Sequence, residues 1–130
     1  MSLSIGQLSA LTNISIHTLR FYEKEGIVPF VKRTVSGLRV YEEDHVDWFK
    51  FLSCMRETGM SLAQLKEFAD LVIQGDGTID QRLAMLTEQK NRIEEQVATM
   101  KSYIDMIGFK MEMLHRQKEE GEPHGDPRIP

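Results

Sequence analysis

The sequence predicts a mainly α-helical chain ending in a long helix that pairs as an antiparallel coiled coil. Three observations predict it: helix-start residues placed ahead of apolar periodic stretches, one short strand-like segment near residues 31–41, and a heptad seam from residue 79 onward.

Ser4 reads as an N-cap for a short helix through Ile5, Leu8 and Leu11, broken at Thr12-Asn13. Ser15 offers a second N-cap, and Ile16, Leu19 and Phe21 begin a helix that stops at Gly26. Two short helices across a tight turn make a helix-turn-helix unit, with Leu8, Leu11, Leu19 and Phe21 expected in its core. Pro29 bars further helix. Residues 31–33 and 38–41 then read as a hairpin around Ser36-Gly37, a wing in a winged helix-turn-helix head. Residues 43–58 form a third helix, with Glu43 and Asp44 suited to its positive end and Gly59 beyond its last turn. Ser61 caps a fourth helix carrying Leu62, Leu65, Phe68, Ala69 and Val72.

The expected organisation is a DNA-binding head over 1–73 with two additional helices, a linker over 74–78 marked by Gly75-Asp76-Gly77, and a dimerisation helix over 79–118. The tail, 119–130, holds three of the four prolines and is expected to be disordered. Along 79–118 the apolar residues are Ile79, Leu83, Leu86, Ile93, Val97, Met100, Ile104, Ile107, Met111 and Leu114, with Lys90 in the one gap. Their spacings alternate four and three over about five heptads. Such a helix spans about 60 Å, and a chain this short has nothing to cover it. A second identical chain in antiparallel array is the simplest partner, although the seam itself does not fix the order. Gly108 is a point where the helix can bend.

Composition sets bounds. No window reaches the roughly 18 apolar residues of a membrane span, and the N-terminus lacks a charged region before an apolar core. A cytoplasmic location with no membrane partner is expected. The single cysteine, Cys54, cannot pair within the chain, and a zinc or iron–sulfur site would lack its usual thiolates. No metal and no cofactor are expected. No acidic residue sits with a His or Cys in a nucleophile–base motif, so no catalytic residues are assigned.

The net charge is −4, yet residues 15–41 hold Arg20, Lys24, Lys32, Arg33 and Arg39 against Glu23 and Glu25, about +3. Double-stranded DNA needs a local basic face, not a basic protein. The second helix of such a unit enters the major groove by its N-terminal end, where Ser15, His17 and Thr18 stand. Arg33 and Arg39 flank the wing and can grip phosphates, with Lys32 and the Tyr41 hydroxyl in support.

Read in order, Ser4-Ile5-Gly6-Gln7-Leu8, Leu19-Arg20-Phe21-Tyr22-Glu23, Gly26-Ile27-Val28-Pro29 and Gly37-Leu38-Arg39-Val40-Tyr41 closely resemble the N-terminal domain of MerR-family regulators. The long helix resembles that family's dimerisation helix. The resemblance implies DNA contacts from Arg20 and Tyr22, a homodimer on a pseudo-palindromic promoter, distortion of that promoter, and action alongside RNA polymerase. Plainer roles stand beside these: core packing for Tyr22, a helical pair with Glu23 for Arg20, solvated surface for His17.

Metal-sensing relatives carry cysteines near the end of the dimer helix, where this chain has none, and His115 with His124 is a poor substitute. Drug-sensing relatives append an effector domain, and this chain ends soon after the long helix. The stretch from Trp48 to Gly59 resembles the single-cysteine branch that answers aldehydes or nitric oxide, which implies Cys54 as the sensor. At about 100° per residue, Cys54 lies roughly 140° from the centre of the apolar arc of Trp48, Phe49, Leu52 and Met55. A passive cysteine is the alternative there. For the whole chain the alternatives are an effector-independent repressor or architectural protein, and a coiled-coil adaptor that binds protein.

Overall fold

In the computed structural model, which describes residues 2–121, the chain is mainly helical. Helices α1 (Ile5–Thr12) and α2 (Ile16–Lys24) precede strands β1 (Lys32–Arg33) and β2 (Arg39–Val40). Then come α3 (Glu43–Glu57), α4 (Leu62–Gln74), a 3-10 turn (Asp76–Thr78) and α5 (Ile79–Glu120). The chain packs as two units, 1–89 and 90–130, so the first turns of α5 belong to the N-terminal unit. The expected boundary was 74–78. Of the expected tail, residues 119 and 120 continue α5, and 122–130 lie outside the described residues. α5 also continues through Gly108.

The turn between α1 and α2 is built by short polar side chains. Ser4 and Gln7 form a reciprocal capping box, the Gln7 N–H donating to Ser4 Oγ (3.1 Å) and the Ser4 N–H to Gln7 Oε1 (2.8 Å). Asn13 ends α1 at φ 59°, a left-handed conformation that Asn tolerates well. The Ser9 hydroxyl donates to the Ile14 carbonyl (2.6 Å) and the Thr12 hydroxyl to that of Leu8 (2.9 Å). The Ile14 carbonyl is thus satisfied by Ser9, and the Ile14 N–H by Thr12 Oγ1 (3.3 Å), so the tight turn leaves neither bare.

β1 and β2 pair antiparallel, Lys32 opposite Val40 and Arg33 opposite Arg39. Gly37, at φ 88°, makes the connecting turn that an L side chain would strain. The hairpin is anchored to the N-terminus, where the Leu3 and Tyr41 backbones exchange bonds of 2.6 and 3.0 Å.

The core of the N-terminal unit joins Leu8, Leu19, Tyr22, Ile27, Tyr41, Phe49, Leu52, Met60, Leu65 and Ala69. Phe49 is its centre, stacked on Tyr22 (6.4 Å, 26°) and edge-on to Tyr41 (6.2 Å, 72°). Leu8 and Leu19 are buried as expected, but Leu11 and Phe21 are 54% and 39% exposed. Both expectations are corrected. Leu19 and Tyr22, three apart, define the inward face of α2, and Phe21 stands about 100° away from Tyr22.

Candidate nucleic-acid interface

With Leu19 and Tyr22 turned inward, α2 shows solvent a stripe of His17, Arg20, Phe21 and Lys24. The spacing of three, four and seven residues puts these side chains on one face. Lys24 and Phe21 were not among the expected contacts; helical spacing from His17 was the signal that pointed to them. At the start of α2 the Thr18 N–H donates to Ser15 Oγ (3.1 Å), and the Ser15 hydroxyl donates to Thr18 Oγ1 (3.0 Å). The first duty of Ser15 and Thr18 is therefore the helix start.

Glu23 supplies the link between α2 and the wing. Its carboxylate, only 11% exposed, accepts the Arg39 guanidinium through Nε and the Tyr41 hydroxyl at 3.3 Å. The sequence suggested a pair with Arg20 along the helix; the structure turns Glu23 inward and across to β2 instead. Engaging Arg39 through Nε leaves the outer edge of the guanidinium for a phosphate, and holds it in one orientation.

Tyr22 and Tyr41 correct two further expectations. The Tyr22 ring is 7% exposed and stacks in the core, and Tyr41 is wholly buried. Neither offers a free side chain to a phosphate. Burial raises the Tyr41 phenol above its ordinary pKa of 10.0, and the charges of Arg39, Arg20 and Arg33 pull it back. Guanidiniums from three elements, α2, β1 and β2, thus all influence this one phenol. Arg33 and Lys32 are exposed, Arg33 reaching the Gly37 carbonyl at 3.5 Å and Lys32 lying 4.0 Å from Glu42. Neither contact is strong enough to withhold these side chains from a polyanion.

Glu23→Gln keeps the shape and removes the charge. The expected loss is about 1 kcal/mol, read as a lower melting temperature with faster amide exchange at Arg39 and Val40. Unchanged exchange would show that the Leu3–Tyr41 bonds alone hold the wing.

The family model for the MerR HTH family regulatory protein matches residues 3–71, more than half of the chain. The chain belongs to the MerR family. A second model, MerR, DNA binding, matches residues 46–108. An uncharacterized HTH-type transcriptional regulator of Haemophilus influenzae is 36% identical over 93% of this chain and 90% of its own length. The HTH-type transcriptional regulator AdhR of Bacillus subtilis is 37% identical over 72% of this chain and 66% of its own. The crystal structure of HiNmlR, a MerR family regulator lacking the sensor domain, bound to promoter DNA, superposes with a TM-score of 0.78. It is 35% identical and covers 94% of this chain and 97% of that one. This MerR-family chain is thus a DNA-binding transcriptional regulator and not an enzyme.

Two more features of the regulator bear on its control. Cys54 is exposed on α3. Its carbonyl accepts the Thr58 N–H (3.1 Å), and Thr58 in turn receives Gln89 of α5, whose Nε2 donates to Thr58 Oγ1 (2.9 Å) and to the Thr58 carbonyl (3.1 Å). Gln89 is 3% exposed, a buried polar tie that the heptad pattern gave no reason to single out. Of the seam residues, Leu86 and Ile93 are half-buried, while Ile79 and Leu83 are exposed. Val97, Met100, Ile104, Ile107, Met111 and Leu114 are 50% to 66% exposed in the single chain. His115 is exposed on α5, and His124 lies outside the described residues. No described helix is long and apolar enough to cross a membrane.

Proposed function

We propose that this regulator binds a pseudo-palindromic promoter as a homodimer, distorts it to assist RNA polymerase, and answers electrophiles through Cys54. The observation that carries the DNA reading is the exposed stripe of His17, Arg20 and Lys24 on α2, tied through Glu23 to Arg39 of the wing. In this reading His17 and Arg20, with Ser15 and Thr18, approach base edges and phosphates from α2, while Lys32, Arg33 and Arg39 hold the flanking backbone. A relative of similar sequence and shape has been crystallised on promoter DNA, which supports the same docking here.

The test is a mobility shift on the DNA flanking the gene, across a salt series. Affinity should fall linearly with log salt, and Arg33→Ala should reduce that slope by about one per protomer. Arg20→Ala should weaken binding and, if it reads a base, relax sequence preference at one position in each half-site. No shift at low salt would favour a protein-binding adaptor.

The homodimer reading rests on the seam. An apolar stripe from Val97 to Leu114 left half or more exposed is a surface that a second copy would cover. The sensor reading rests on place: Cys54 is exposed to reagents, and its turn of α3 is bonded through Thr58 to Gln89 of the dimer helix. A group added to the thiol would disturb a tie between head and helix. Cys54→Ser should keep promoter affinity and abolish aldehyde- or nitric-oxide-induced transcription in a reporter strain. Full induction in that variant would remove the thiol from the mechanism.

A further inference from the structure

We propose that the cleft at the base of the wing is a binding site for a small aromatic cation. The cleft encloses about 330 Å³ between the segment before β1 and the start of α3. That volume lies at the lower end of the range of small-molecule sites, roughly 300–1,000 Å³. Its walls are Pro29, Phe30, His45 and Trp48, with Glu42 and Asp44 at the acidic side.

The walls are set before any ligand arrives. Trp48 donates its indole N–H to the Ile27 carbonyl at 2.8 Å and stacks on Phe68 at 6.0 Å. His45 has both ring nitrogens engaged: the Glu42 N–H donates to Nδ1 (3.0 Å), which leaves Nε2–H to donate to the Pro29 carbonyl (3.1 Å). Both imidazole nitrogens are therefore held within the protein, which fixes the ring as a wall of the cleft. Phe30 adopts φ 62°, a left-handed backbone that a bulky residue rarely accepts, and its side chain stays 64% exposed while lining the cleft. Strain of this kind, on an exposed aromatic at a cavity mouth, points to use.

Charge selects the occupant. Lys32 faces the cleft but lies 4.0 Å from Glu42, so these two offset one another. Asp44 makes no ion pair among the described residues. On the far side of Trp48 the apolar surface continues over Phe51 and Phe68, with Asp47 as a second carboxylate beside Asp44. Indole and phenyl faces carry negative quadrupole density, and with the Asp44 carboxylate beside them they favour a cation and oppose an anion. Because Lys32 opens β1, an occupant of the cleft also touches the strand that carries the DNA-facing Arg33. The site is independent of Cys54.

The chain has one tryptophan, so its fluorescence reports on the surroundings of Trp48, a wall of this cleft. The full chain is titrated with benzyltrimethylammonium and, separately, with benzenesulfonate. The expected result is a saturable change in Trp48 emission with the cation and none with the anion. Asp44→Asn should weaken the cation roughly fivefold, the size of one partly exposed charge pair. Phe30→Gly should weaken it comparably while holding or raising the melting temperature, because Gly accepts the left-handed backbone. Equal responses to both ions, a change that never saturates, or Asp44→Asn affinity equal to wild type would each overturn the proposal.

Discussion

On the proposed homodimer, Ile104→Asp should yield a folded monomer that has lost operator affinity by two orders of magnitude or more. Ile104 sits in the middle of the exposed seam, 66% open in the single chain, and in a dimer it would be closed off by the partner helix. A carboxylate buried there without a partner costs several kcal/mol, enough to dissociate an interface built on one apolar stripe. In the proposed homodimer two linked heads would engage two half-sites with an avidity gain of roughly 10²–10⁴, which a monomer forfeits. Sedimentation velocity and a mobility shift measured on the same preparation check both parts. A variant that still sediments as a dimer at micromolar concentration would place the interface elsewhere.

Phe49→Ala should cost about 3–5 kcal/mol of stability. The ring is wholly buried and meets both Tyr22 of α2 and Tyr41 beside β2, so its removal opens a cavity where three elements meet. Domains of this size hold only about 5–15 kcal/mol in total, so the variant head would be close to its unfolding midpoint when warmed. Urea denaturation followed by Trp48 fluorescence gives the number. A loss below 1 kcal/mol would mean that Tyr22 and Tyr41 close over the gap.

Much of the architecture was legible because it rests on local rules. Ser4, Ser15 and Ser61 each cap the helix expected of them, and Gly37 turns the wing. Those signals depend on a residue and its neighbours three or four positions away. Residues whose roles depend on distant partners were less visible. The family resemblance implied a DNA contact from Tyr22 and the Tyr41 hydroxyl suggested a phosphate contact, yet each ring was needed to fill the space around Phe49. Leu11 and Phe21 are apolar, but their faces of α1 and α2 were already outside the inward arc. Glu23 is one acidic residue among twenty, and nothing local shows that it faces Arg39 sixteen residues away. Gln89 similarly falls beside the seam, and only the position of Thr58 explains why a polar side chain is buried there. Arg33 is exposed, as expected of a charge on the wing, because an exposed charge needs no partner to be placed.

The grip of Glu23 on Arg39 and Tyr41 has a mechanical consequence. α2 and the wing are joined through one shielded carboxylate, so in the proposed docking they would meet a duplex as a single stiff template with little freedom to adjust. In any complex the mismatch between template and straight B-form DNA then falls on the softer partner. Promoters with flexible steps between the half-sites should accordingly be favoured at positions no side chain touches. Loosening the carboxylate would return part of that adjustment to the protein and flatten the preference.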